Sequence, residues 1–204
     1  MAVQQKIPIF AVKLIVQMDK LVEIEGFHGT SKVAANAIMG SGYKLSKGAD
    51  HWVGDGIYLF LDGIGSGEQN AKDWAIFKAW DKKTKHNAYP FFGVVKSTIG
   101  VKEEAFLDLT TRDGVEVFDY IVDKCSAKLA EIGKSKKYID GYIINFGREE
   151  LKMKIDVVKA DEYIQLKQAD RLMRIKRRTP NCTICAVANL ATIKKNEITL
   201  IGRI

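Results

Sequence analysis

Two short segments hold residues that could do chemistry. His28-Gly29-Thr30 sets an imidazole beside a glycine with open backbone, and together they could hydrogen-bond a ribose hydroxyl or a carboxamide. Further on, Gly54-Asp55-Gly56-Ile57-Tyr58 makes a second open-backbone turn that delivers a tyrosine, with a flat face for stacking and a hydroxyl as a polar handle. Arg171, Arg174, Arg177 and Arg178 could border a diphosphate or receive an anionic acceptor, the alternative being a solvated basic connector. Trp52, Trp74 and Trp80 are expected in the core or at its rim more than as base-stacking platforms. Cys182-Thr183-Ile184-Cys185 has C-x-x-C spacing, which invites a redox or zinc reading. Its spacer is β-branched, however, and in a strand side chains three apart face opposite sides. A zinc site also wants a second ligand pair, which the sequence lacks. Packed thiols and no metal site are expected.

The elements that must position these groups follow from periodicity and punctuation. A strand over Leu21–Phe27 runs into a His-Gly-Thr turn; Thr30 or Ser31 caps a short helix over Lys32–Met39, and Gly40 and Gly42 stop it. A polar stretch, Tyr43–Gly56, leads to a strand over Ile57–Leu61. After a glycine-rich link, a helix over Glu68–Lys82 has Ala71, Trp74, Ala75, Phe77, Lys78 and Trp80 spaced for burial. Elsewhere the pattern predicts helices over Phe10–Leu21 and Gly114–Ile132. Strands are expected over Tyr89–Ile99, Ala105–Leu109, Met153–Lys159, Thr183–Val187 and Glu197–Ile201. Tyr138–Phe146, broken by Gly141, reads as a strand or a buried turn, and Asp161-Glu162 as an acidic patch. Repeats and low-complexity linkers are absent from the sequence. Residues 1–204 therefore read as one α+β unit whose strands β-α-β alternation does not explain.

Bulk composition narrows the class. The 204 residues are 47% hydrophobic and 28% charged, ordinary for a globular chain. No apolar run of about 18 residues exists, so no membrane span is expected, and the apolar N-terminal stretch, broken by Lys13, lacks a following cleavage site. Three cysteines, an odd count, argue for a reducing compartment, and a cytoplasmic location is expected. The net charge of +7 is concentrated in runs such as KSKK at 134–137 and RLMRIKRR at 171–178. Such runs are solvated faces or attract a polyanion, either nucleic acid or a dinucleotide's phosphates.

Phe27-His28-Gly29-Thr30, the short alanine-rich helix and its glycine, then Trp52-Val53-Gly54-Asp55-Gly56-Ile57-Tyr58-Leu59-Phe60, resemble the ADP-ribosyltransferases. The similar branch is the one with a His-Tyr-Glu signature, shared by diphtheria toxin and the poly-ADP-ribose polymerases. The resemblance covers residues 21–80 and, more weakly, 176–192. It implies a split antiparallel β-sheet core with flanking helices, and NAD as co-substrate. It also implies that His28 holds the adenosine ribose, that the Gly29 backbone grips the nicotinamide amide with Thr30 as support, and that Tyr58 packs on the nicotinamide ribose. Trp74, in a helix similar to the A-x-x-W-A of bacterial members, and Arg178, ahead of the late strand, are expected on the NAD as well. The family's third catalytic residue begins a late strand and is usually Glu; the position here is Thr183, and the sequence has no carboxylate between Asp170 and Glu197. Either Thr183 or Asn181 stands in, or Glu149, Glu150 or Glu68 folds into the site. The expected activity is NAD-dependent mono-ADP-ribosylation of a macromolecule, with RNA or DNA favoured over protein by the basic balance. An intracellular toxin or antiphage effector with a neutralising antitoxin would fit. A catalytically weak NAD-binding module and an NAD-dependent RNA 2′-phosphotransferase are the alternatives.

Overall fold

The structure, a computed structural model, describes residues 20–45, 51–132, 139–174 and 177–204. Most of the helix expected over Phe10–Leu21 and the KSKK run lie outside those residues, as does part of the RLMRIKRR run. The chain builds one seven-stranded mixed sheet flanked by helices, an α+β arrangement. In chain order the elements are β1 (Leu21–Ser31), α1 (Lys32–Ser41), β2 (Ile57–Leu61), α2 (Gly67–Ala79), β3 (Trp80–Asp81), β4 (His86–Asn87), β5 (Phe91–Lys102) and β6 (Phe106–Asp108). They continue with α3 (Arg112–Ile132), α4 (Ile139–Glu149), β7 (Val157–Glu162), α5 (Gln168–Leu172), β8 (Cys182–Val187) and β9 (Ile193–Arg203). Strand order across the large sheet is β6-β7-β8-β2-β1-β5-β9, and β3 and β4 form a separate hairpin. Every neighbour in the large sheet is antiparallel except β6 and β7, a parallel edge pair that makes the sheet mixed.

Local chemistry sets the helix ends. Ser31 Oγ accepts from Ala34 N–H to start α1, and Gly42, at φ +76°, returns its N–H to Ile38 O to end it. Ser66 caps α2 in the same way, while Asp62 Oδ1 accepts from the Gly67 N–H. Alternation along the strands gives the sheet two buried faces. Phe60, Val94, Val158, Ile184 and Cys182 pack on one; Leu59, Val95, Val157, Cys185 and Val187 pack on the other. Cys182 and Cys185 therefore face opposite sides, as a strand requires.

Three expectations change. His28-Gly29-Thr30 is not a turn but the end of an eleven-residue strand, fully registered against β5. Residues 139–149 form a helix, not a strand or a buried turn, and Gly141, which argued against one, permits close packing, as does Gly147. A Cβ on Gly141 would fall 1.9 Å from His51 O, and one on Gly147 2.9 Å from the Ile121 side chain. Trp80 lies past the end of α2 and is 53% exposed, whereas Ala71 and Ala75 carry the buried stripe.

One seam in the sheet decides where a ligand can enter. β1 matches β5 at every residue, but it pairs with β2 only at Gly26↔Leu61 and Phe27↔Phe60. Gly26 allows that contact, since a Cβ there would stand 2.8 Å from the Leu59 Cβ. Past Phe27 the two strands part.

Candidate active site

Beyond the seam, the edge of β1 that faces β2 has no strand partner over residues 28–30. An open edge presents main-chain N–H and C=O groups, a pairing surface that a carboxamide matches. His28 bridges the gap with its side chain: Nδ1 lies 2.9 Å from Tyr58 O. A carbonyl only accepts, so Nδ1 carries the hydrogen and Nε2 is left as the acceptor of the neutral ring. Burial lowers the His28 pKa, and the bond to Tyr58 O raises it by less, so the ring stays neutral at pH 7. The ring of Tyr43 packs edge-on against it at 5.4 Å. Gly29 is fixed by packing: an added Cβ would fall 1.7 Å from Ala71 O, because α2 crosses β1 there.

The parted strands open a cavity of about 1250 Å³ lined by His28, Gly29, Thr30, Tyr58 and Trp74 together. It reaches both faces of the sheet, touching Ile38 and Tyr43 on one side and Phe60 and Ile184 on the other. Five of the residues singled out from sequence thus meet in one space.

Tyr58 contributes its ring but not its hydroxyl. The Oη accepts from Val53 N–H at 2.9 Å and donates to Gly54 O at 2.7 Å, which pins the 53–54 turn over the cavity. Burial pushes its pKa well up. The same turn, with Gly54 at φ +87°, is held from behind by α4: Asn145 Oδ1 accepts from Asp55 N–H, and Arg148 Nη1 donates to Asp55 O. The Tyr58 ring packs against Trp52 at 5.5 Å, Trp52 meets Trp74 at 5.5 Å, and Trp74 meets Phe77 at the same spacing. One continuous aromatic wall results.

Three expected site residues stand apart. Thr183 points away from the cavity: it is 3% exposed, donates to Asp161 Oδ1 at 2.6 Å and accepts from Ile64 N–H at 3.0 Å. Strand alternation gives the cavity Ile184 instead. Asn181 is spent on main chain, its side chain bonding both Ile164 N–H and Ile164 O. Arg178 is exposed and does not line the cavity. The basic segment reaches the rim through its neighbours: Arg171 lies over the Phe77 ring at 4.4 Å, and Arg177 over the Tyr163 ring at 5.1 Å.

Among the described residues, the carboxylates that line the cavity are Asp140 and Glu162, neither of them expected from sequence as a site residue. Glu149, Glu150 and Glu68 do not line it, and Glu150 pairs with Lys128. Glu162 ends β7 opposite Cys182, on the face that Val158 and Ala160 share, so strand alternation from Val158 was the signal that could have found it. Burial, then the nearby Asp140, raises the Glu162 pKa, and burial raises that of Asp140. Among the described residues no group of three or more His, Cys, Asp or Glu could hold a metal ion, and no helix is long and apolar enough to cross a membrane.

No protein-family model matches the chain. It is similar to a protein of Methanocaldococcus jannaschii that is described as uncharacterized, at 27% identity over 199 residues, covering 88% of this chain and 89% of that protein.

Proposed function

We propose that this chain is an NAD-dependent mono-ADP-ribosyltransferase with an ADP-ribosyltransferase-like split-sheet core. The observation that carries it is the seam. His28, bonded to Tyr58 O through Nδ1, presents a neutral Nε2 to a cavity that Gly29, Thr30, Tyr58 and Trp74 line as well. A ribose hydroxyl donating to Nε2, and a nicotinamide amide paired along the open β1 edge, would place the glycosidic bond beside the Tyr58 ring. Cleavage of that bond develops positive charge on the sugar, as in glycoside hydrolysis. Nicotinamide takes the bonding electrons and departs neutral, so positioning supplies a large share of the acceleration. Holding both ends of NAD across the seam is the role this assigns to His28 and Gly29. The toxin or antiphage role, and an antitoxin partner, rest on the resemblance alone.

Nicotinamide-labelled NAD incubated with the purified chain is expected to release nicotinamide, and His28→Ala to abolish release. No release and no calorimetric NAD binding, with His28→Ala indistinguishable from the parent, would refute the assignment.

A second reading has its own observation: the head of β8 offers the cavity Ile184 and no carboxylate. An NAD-binding module without transfer would bind NAD calorimetrically and release no nicotinamide.

A further inference from the structure

The cavity has a second end that NAD chemistry at the seam does not use. Phe77 and Tyr163 line it, and so do Lys78 and Lys82. Arg171 stacks on Phe77, Arg177 on Tyr163, and Lys78 on Trp74 at 5.3 Å. Among the described residues none of these four cations forms an ion pair with a carboxylate. Asp73 and Asp170 offset part of the Arg171 charge. Asp140 and Glu162 are the acidic groups that line the same cavity among the described residues. Arg171 also donates to the Gln165 and Leu166 carbonyls, which fixes it over Phe77. Aromatic rings interleaved with cations that have no carboxylate ion pair match a single-stranded nucleic acid, whose bases stack while its phosphates meet Lys and Arg. A folded protein acceptor would present no comparable row of flat rings and anions.

We propose that this end binds a single-stranded RNA or DNA segment as the acceptor, with Glu162 as its general base. The proposal rests on the transferase assignment above. In the step, the C1–N bond between the nicotinamide ribose and nicotinamide breaks and its electron pair leaves with nicotinamide. An acceptor N–H or O–H forms the new bond to that C1, and its proton passes to the Glu162 carboxylate and then to water. The products are ADP-ribosylated nucleic acid, nicotinamide and one proton.

The test uses the full chain and fluorescent single-stranded RNA and DNA 12-mers, read by anisotropy across a salt series. Lys78→Glu/Lys82→Glu is compared with Lys124→Glu/Lys195→Glu, which makes the same charge change on α3 and β9. The first double variant is expected to bind at least tenfold more weakly. Its log–log salt slope should be shallower by about 1.4, two phosphate contacts at about 0.7 each. The second should bind like the parent. Equal weakening in both, or no binding by the parent, would overturn the proposal. Labelled NAD and 12-mer are then combined, with NAD affinity measured separately by calorimetry. Label on the 12-mer that Glu162→Gln abolishes without loss of NAD affinity is the expected result. NAD binding and nicotinamide release with no labelled 12-mer would sink the acceptor proposal and leave the transferase assignment standing. Absence of NAD binding would sink the assignment and the transfer step with it.

Discussion

Replacing Tyr58 with Phe removes one oxygen and keeps the ring. That oxygen accepts from Val53 N–H at 2.9 Å and donates to Gly54 O at 2.7 Å, and Val53 is buried. A neutral hydrogen bond contributes about 1 kcal/mol net, and a buried donor left without a partner costs about 1–3 kcal/mol. Two lost bonds that orphan one buried N–H therefore predict about 2–4 kcal/mol of destabilisation. For a domain of this size that is roughly 5–15 °C in thermal midpoint. Because the hydroxyl is spent on main chain, it touches no ligand, and the stacking face survives the change. Calorimetric NAD affinity at a temperature well below the midpoint is expected to fall less than about threefold, or about 0.6 kcal/mol. An unchanged midpoint with a tenfold or greater loss of NAD affinity would refute this account, since the hydroxyl would then be a ligand contact and not a prop for the 53–54 turn.

Other substitutions separate scaffold from site. Gly29→Ala drives a Cβ into the backbone of α2 at Ala71 O, so this conservative change is expected to cost well over the typical ~1 kcal/mol of a point mutation, read as a collapse of the melting transition. Thr183→Val is expected to lower the midpoint, by about 1–3 kcal/mol for the lost bonds to Asp161 and Ile64, while nicotinamide release per folded molecule stays unchanged; loss of release without loss of stability would return Thr183 to the chemistry. His28 has a folded-state pKa below its ordinary 6.5, so the unfolded chain binds more protons in the window between the two values. Stability should therefore rise with pH through that window and be lost as pH falls below 6.5, and His28→Gln should flatten that part of a denaturation-midpoint profile. Glu162 has the opposite sign: its raised pKa means that the folded state binds the extra proton, so its contribution declines as pH climbs above 4.5. Glu162→Gln should then be as stable as the parent or more so at pH 7 in urea denaturation.

The sequence carried the pieces of the site better than their arrangement. His28, Gly29, Thr30, Tyr58 and Trp74 were legible because glycine, imidazole and aromatic residues recur in two compact motifs. That His-Gly-Thr is strand and not turn was hidden, because glycine there answers to Ala71 O on a helix about forty residues away in sequence. α4 was missed for the same reason, since Gly141 marks close approach to His51 O and not a break in the chain. Thr183 was chosen one residue out of phase with the face that Ile184 gives the cavity, and a one-residue slip in a strand exchanges inside for outside. Glu162 was missed because the strand expected over Met153–Lys159 stopped short of it; alternation carried on from Val158 and Ala160 reaches it.

The two-residue seam between β1 and β2 also bears on when the site comes into being. β1 finds its partner in β5, but β2 is held on its other edge by β8, with Ile57 opposite Val187. Contacts that distant along a chain close late, since loop entropy must be met before the pairing gives anything back. On a ribosome, the half of the sheet that carries His28 can be completed by β5 while β2 still lacks the strand that fixes Tyr58. A chain stopped short of Val187 would have one wall of the cleft and nothing to set against it, so synthesis of the last strands times the appearance of the complete cleft.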